Sequence, residues 1–203
     1  MKIICVGRNY SEHIHEMNNV ASEEPVIFFK PETALLKNNA PFYYPSFSKD
    51  VHYEAELVIR INREGKNIEE RFSHKYYDEL GVGIDFTARD LQKKAQEKGL
   101  PWALAKGFNG SAPISGFVPK SKFEDIYALN FSLKQNGELK QHGNSSMMIH
   151  SIDKIVSYIS KFITLKNGDY IYTGTPSGVG PVKIGDLLEV FLEKEKMLEC
   201  AVK

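Results

Sequence analysis

From residue 51 to residue 61 the chain alternates. VHYEAELVIRI sets Tyr53, Ala55, Leu57, Ile59 and Ile61 on one side of an extended backbone and His52, Glu54 and Glu56 on the other. A period of two predicts a strand, and it places two carboxylates side by side, about 7 Å apart at the backbone. Two readings follow. The acids line the wet face of an antiparallel sheet, each beside water or a counter-cation. Or they form half of a site for a hard divalent cation, which needs a third oxygen ligand from elsewhere in the chain.

Shorter strand-like runs recur between turn signals: IICVG, PVIFF, LGVGIDF, ALNFSLKQ, GDYIYTG and DLLEVFLE. Asn136-Gly137 and Asn167-Gly168 mark tight turns. Helical periodicity is rarer. In SIDKIVSYISKFI, residues Ile152, Ile155, Val156, Ile159 and Phe162 share one face, which predicts a core-facing helix. Thr87-Ala-Arg-Asp90 has the form of a capping box opening a helix to about Lys98, with Asp in the place usually held by Glu or Gln. Many strands with segregated helices predict an α+β, mainly β architecture. NNVASEEP and NREGKNIEERFSH read as solvated loops. SEHIHEM, residues 11–17, is helix-compatible but too short to stand alone, which suits a lid that orders on binding.

Composition narrows the function. The 203 residues fit one domain without internal repeats or linkers. Lys plus Arg and Asp plus Glu both total 26, so no basic excess points to nucleic acid or to a membrane surface. MKIICVG is too short for the apolar core of a signal peptide, and no apolar run nears the roughly 18 residues of a membrane span, so a soluble, cytoplasmic protein is expected. Cys5 and Cys200, each in an apolar strand-like context, read as buried, reduced thiols.

A third acid completes the set. Asp85 ends the apolar run GVGIDF, where an unpaired carboxylate is costly. It is either an N-cap for the following helix or, with Glu54 and Glu56, the third ligand of a Mg²⁺ or Mn²⁺ site, with Arg89 or Lys106 balancing the remaining charge. His13 and Glu16, spaced i, i+3, form either a solvated turn or a carboxylate-oriented general base. Lys106, in the charge-poor stretch ALAKGFNGSAPISG, either snorkels to solvent or faces a developing anion. TGTPSGVGPV, residues 173–182, is either a plain strand connection or a loop whose N–H groups line an anion site. No phosphate loop, complete dinucleotide fingerprint, HExxH, CxxC or GxSxG is present.

The ordered motifs GRNYSEHIHEM, FFKPETAL, HYEAELVIRI, GIDFTARDLQ, AKGFNGSAPIS, QHGNSSMMIHSI and TGTPSGVGPVKIGD resemble the fumarylacetoacetate hydrolase superfamily, most closely its short acylpyruvase-like members, from residue 6 to about residue 190. The resemblance implies a mixed β-roll, usually a homodimer. It makes Glu54, Glu56 and Asp85 the Mg²⁺ or Mn²⁺ ligands, His13 and Glu16 the acid–base pair on a mobile lid, and Lys106 the cation near substrate. Arg89, Gln92 and Thr175 would contact a small 2-oxo acid. Acylpyruvate hydrolysis is the leading expectation, with oxaloacetate decarboxylation or tautomerisation, or muconate-type isomerisation, as alternatives; in another class stands a binding module with a structural metal. The chain departs from the pattern at Asn109, Ser145 and Ala55, and of these only Asn109 bears on charge near the site.

Overall fold

The apolar runs do become strands, and their pairing order decides where the acids meet. In the computed structural model, which describes residues 1–17 and 22–203, a six-stranded sheet runs Val26–Lys30, Ile3–Gly7, Tyr170–Tyr172, Ala55–Ile61, Tyr77–Ile84, Val118–Pro119. Ile3–Gly7 and Tyr170–Tyr172 pair in parallel, while the other neighbours are antiparallel, which makes the sheet mixed. A second sheet orders Glu138–Asn144, Asn130–Gln135, Leu187–Leu192 and Glu195–Ala201, all antiparallel. The expected mainly β architecture stands. Asn136 and Gly137 both take positive φ and close the hairpin between Gln135 and Glu138 in two residues.

The alternating run at 51–61 does not behave as a half-wet strand. It breaks at Glu54 into Val51–Tyr53, which pairs with Gly180–Pro181 and Thr87–Ala88, and Ala55–Ile61, at the centre of the large sheet. That sheet is covered on both faces: Ile4, Val6, Leu57 and Ile59 belong to the main core, and Ile3, Cys5, Val58, Tyr170 and Tyr172 to a second cluster behind it. The expected solvated face is therefore absent along residues 54–59.

Among the described residues four α-helices sit around the sheets: α1 Ser11–Glu16, α2 Arg89–Glu97, α3 Ala103–Lys106 and α4 Ile152–Phe162. Ser151 caps α4 by accepting from the Lys154 N–H, and Ile152, Ile155, Val156 and Ile159 are buried as the periodicity predicts. Phe162 is not; it is 66% exposed and meets Tyr158 edge-on at the end of the helix. The capping box at 87–90 also fails. Thr87 belongs to a strand that pairs with His52, its hydroxyl donates to the Asp85 carbonyl, and α2 begins at Arg89. Sheet pairing holds Thr87 extended, and Asp90 instead accepts from Ser48 and Lys49. NREGKNIEERFSH is only partly a loop: Glu70–Lys75 forms a 3₁₀ turn, and Ile68 donates its N–H to Ser160 in α4. NNVASEEP lies partly outside the described residues. Cys5 and Cys200 are free and buried in different clusters, as expected. Among the described residues no helix is long and apolar enough to cross a membrane.

Candidate active site

Strand direction builds the site. Ala55 pairs with Ile84, and Asp85 donates its N–H to the Glu54 carbonyl, so the start of one strand and the end of its antiparallel neighbour lie together. Arg8 and Thr173–Thr175 follow the ends of two further strands of the same sheet, and reach the same place because Ile3–Cys5 runs parallel to Tyr170–Tyr172. A cleft of about 450 Å³, part of it open to solvent, results; Arg8, His13, Glu54, Glu56, Asp85, Arg89, Gln92, Trp102, Lys106 and Thr175 contribute to its walls. All nine residues singled out for chemistry meet here except Glu16, which reaches the cleft through His13.

The floor is a charge cluster shut away from water. Glu54, Glu56 and Asp85 are 4%, 1% and 0% exposed, and one oxygen from each falls within 4.8 Å of the others. Burial at this depth excludes the reading of Glu54 and Glu56 as surface acids. Lys106, at the end of α3, donates to Glu54 Oε2 and Asp85 Oδ2, both at 2.7 Å. Arg89 donates to Glu54 Oε1 at 2.5 Å and to Gln92 Oε1 at 2.7 Å. The balancing cations are therefore both Arg89 and Lys106, and Lys106 does not snorkel to solvent.

A third cation escaped the sequence. Lys30, with a fully buried side chain, places its ammonium 2.7 Å from Asp85 Oδ1 while donating to Ser111 Oγ and to the carbonyls of Phe86, Ser111 and Lys106. With its protons aimed at those groups, Asp85 Oδ1 receives no aligned hydrogen bond. The only cue in FFKPETAL was a lysine closing an apolar run, and nothing local links residue 30 to residue 85.

The three acids are not equivalent. Burial works against the charge of Glu54, but the Lys106 ammonium and the Arg89 guanidinium outweigh it and hold that carboxyl well below the usual range. Burial, and then the Asp85 and Glu54 carboxylates, push Glu56 well above it, against which it has the Gly174 N–H at 2.6 Å. Burial disfavours the Lys106 ammonium, yet Asp85 and Glu54 raise its pKa and keep it charged. An oxygen-only set with one unbonded carboxylate oxygen and one like-charge-strained carboxylate fits a hard divalent ion such as Mg²⁺ or Mn²⁺.

The wall opposite is α1. His13 is 8% exposed, and its Nδ1 meets Glu16 Oε2 at 3.0 Å. Glu16 Oε1 accepts the Gly178 N–H at 3.0 Å, and Ser177 Oγ donates to Glu12 at 3.1 Å, so the 173–182 segment fastens α1 over the cleft. Its backbone amides serve acids of the site, the Gly174 N–H at Glu56 and the Gly178 N–H at Glu16. Gly174 is needed for this: its φ is 108°, and a Cβ there would stand 2.7 Å from that of Asn9. Asn9 clamps the same segment by donating to the Thr173 and His150 carbonyls. Gln141 holds Thr175 by donating to its hydroxyl while accepting the Ala55 N–H. Asn9 and Gln141 sit inside the GRNY and QHGN motifs, but their long-range partners are invisible in sequence. Ser145 bonds to Leu129 and Ile126, and Asn109 is not among the residues lining this cleft.

The profile of the family described as "Fumarylacetoacetate (FAA) hydrolase C-terminal" matches residues 2–203. The chain belongs to the fumarylacetoacetate hydrolase family. It is 45% identical over 201 residues to the mitochondrial oxaloacetate tautomerase FAHD1 of Mus musculus, covering 99% of this chain and 91% of that protein. It is 41% identical over 189 residues to a mitochondrial oxaloacetate decarboxylase of Dictyostelium discoideum, covering 93% and 87%. Among solved structures it is similar to fumarylpyruvate hydrolase of Pseudomonas aeruginosa in complex with Mn²⁺ and pyruvate: TM-score 0.94, 35% identity, 100% of this chain and 89% of that one. The family fold expected from the motifs is the one found.

Proposed function

We propose that this family member is a Mg²⁺- or Mn²⁺-dependent enzyme that interconverts the keto and enol forms of oxaloacetate. The observation that carries the reading is one cleft holding three buried carboxylates on its floor and a carboxylate-oriented imidazole on its opposite wall. Glu54, Glu56 and Asp85 would hold the cation. When bound, it supplies Lewis acidity toward the carbonyl and carboxylate oxygens of a 2-oxo acid.

The protein's own groups supply the rest. Arg89, Gln92 and Thr175 orient the 2-oxo carboxylate end. His13 takes a proton from C3 through Nε2 while its Nδ1–H donates to Glu16. The C3–H electron pair becomes the C2–C3 double bond, and the charge that gathers on the C2 oxygen faces the Lys106 ammonium. Returning the proton to that oxygen gives the enol, and the reverse order gives the ketone. Charge counting supports a dianion. Glu54, Glu56, Asp85 and Glu16 against Lys30, Lys106, Arg89 and Arg8 sum to zero when all are ionised; a divalent cation leaves +2, which a dicarboxylate neutralises.

A second reading has its own support in the likeness to fumarylpyruvate hydrolase. There His13 would deprotonate water for attack on the distal carbonyl, and the same enolate would leave. Oxaloacetate and acetylpyruvate offered in parallel with Mg²⁺, with enol, pyruvate and CO₂ followed in each, separate the two. Rapid enol–keto conversion with little acetylpyruvate cleavage is expected; efficient cleavage with no effect on oxaloacetate would replace the first reading by the second. Calorimetric Mg²⁺ titration of wild type and Glu56→Ala tests the cation site, and equal affinities would remove it.

A further inference from the structure

Among the described residues one cation in the cleft is left over. Arg89 and Lys106 are engaged with Glu54 and Asp85, whereas Arg8 makes no ion pair or hydrogen bond among the described residues, and its Nε is buried without a partner. Unsatisfied buried donors are costly, and the cleft keeps two, Arg8 Nε and Arg89 Nε; Arg89 is otherwise bonded to Glu54 and Gln92, so it is Arg8 that calls for an explanation from function. Arg8 also stands in the left-handed region, with φ 59°. That conformation costs a residue with a Cβ about 1–2 kcal/mol and suits Gly or Asn better. It turns the chain at the end of Ile3–Gly7, where Arg8 joins His13, Gln92 and Trp102 in the cleft wall. The guanidinium carbon lies 5.8 Å from the Trp102 ring centroid, and Trp102 packs edge-on against Phe28, which restricts the orientation of the ring.

We propose that Arg8 is the specificity residue that receives the distal carboxylate of a 2-oxo dicarboxylate. A planar fork with free donors is built for a carboxylate. On the proposed reading Arg89, Gln92 and Thr175 take the 2-oxo carboxylate end, which leaves Arg8 free for a second anion on the substrate. The inference rests on the oxaloacetate reading and deepens it: Arg8 separates oxaloacetate from 2-oxo acids with an uncharged tail.

The test uses oxaloacetate and pyruvate, which is the same molecule without the distal carboxylate. Both are titrated calorimetrically into the Mg²⁺-loaded protein, alongside steady-state kinetics with oxaloacetate. Arg8→Asn keeps a residue that tolerates positive φ, and Arg8→Gly relieves the strain, so neither threatens the fold. Oxaloacetate affinity should fall about 10- to 100-fold in both variants, as KM rather than kcat, while pyruvate affinity stays within about twofold. Arg8→Lys should recover part of the loss. If wild type binds oxaloacetate no more tightly than pyruvate, or if the variants lose both ligands equally, Arg8 is not a carboxylate receptor. Failure of the function itself looks different: wild type would bind oxaloacetate through Arg8 and yet leave it unconverted.

Discussion

Glu54, Glu56 and Asp85 are shut behind two core clusters, whereas Glu12, His15 and Glu16, on the helix that faces them across the cleft, are exposed. The floor is assembled from four strands of one sheet, and its acids are tied to cations from residues 30, 89 and 106. The roof is a six-residue helix with no side-chain N-cap, tied to the 173–182 segment by Glu12 and Glu16. A six-residue helix has almost no stability of its own. The contrast assigns different costs: disturbing the floor should unfold the protein or empty the proposed cation site, and disturbing the roof should slow the reaction without unfolding the protein.

The strongest way to break that contrast is Lys30→Met. The substitution strands Asp85 beside one cation fewer and removes the donor to three buried carbonyls, a kind of loss that typically costs about 3–5 kcal/mol. Urea unfolding should show a much lower midpoint with an unchanged slope. A change under about 1 kcal/mol would mean that Lys106 and Arg89 carry the floor without Lys30. His13→Ala is the matching change in the roof. It should cut oxaloacetate enolisation by about 10²- to 10⁴-fold, with the urea midpoint and Mg²⁺ affinity close to wild type. Lost stability with retained rate would reverse the assignment of the two regions.

The same contrast explains what could be read in advance. Glu54, Glu56 and Asp85 announced themselves because each violates a local rule: two acids in a strand pattern and one at the end of an apolar run. The strands themselves followed from alternation and turn chemistry, and α4 from its period. Lys30, Gln141 and Asn9 were missed because their work is done on partners as far as 164 residues away, and local pattern carries no such information. The capping box at Thr87 misled for a related reason. Pairing with His52 outweighs a cap worth about 1 kcal/mol. Arg8 lay in plain view in GRNY, but its signal is a backbone angle and an absence of partners, and neither is written in the sequence.

The smallest expected effect sharpens the picture of the roof. Ser177→Ala deletes the hydroxyl that donates to Glu12 and leaves the Gly178 N–H on Glu16, so it removes one exposed fastening and touches no group of the floor. An exposed neutral-to-charged hydrogen bond contributes about 1 kcal/mol or less, because water replaces it readily. Closure of α1 should weaken by less than about tenfold, global stability should not move, and the rate with oxaloacetate should fall by no more than the closure does. Hydrogen exchange locates the effect. The amides of Ile14 and Met17, bonded to the Tyr10 and His13 carbonyls, should exchange faster, while those of Leu57 and Ile59 should not change. Equal acceleration in both sets would show that the roof and the floor open together, and that the helix is part of the folded core instead of a cover laid over it.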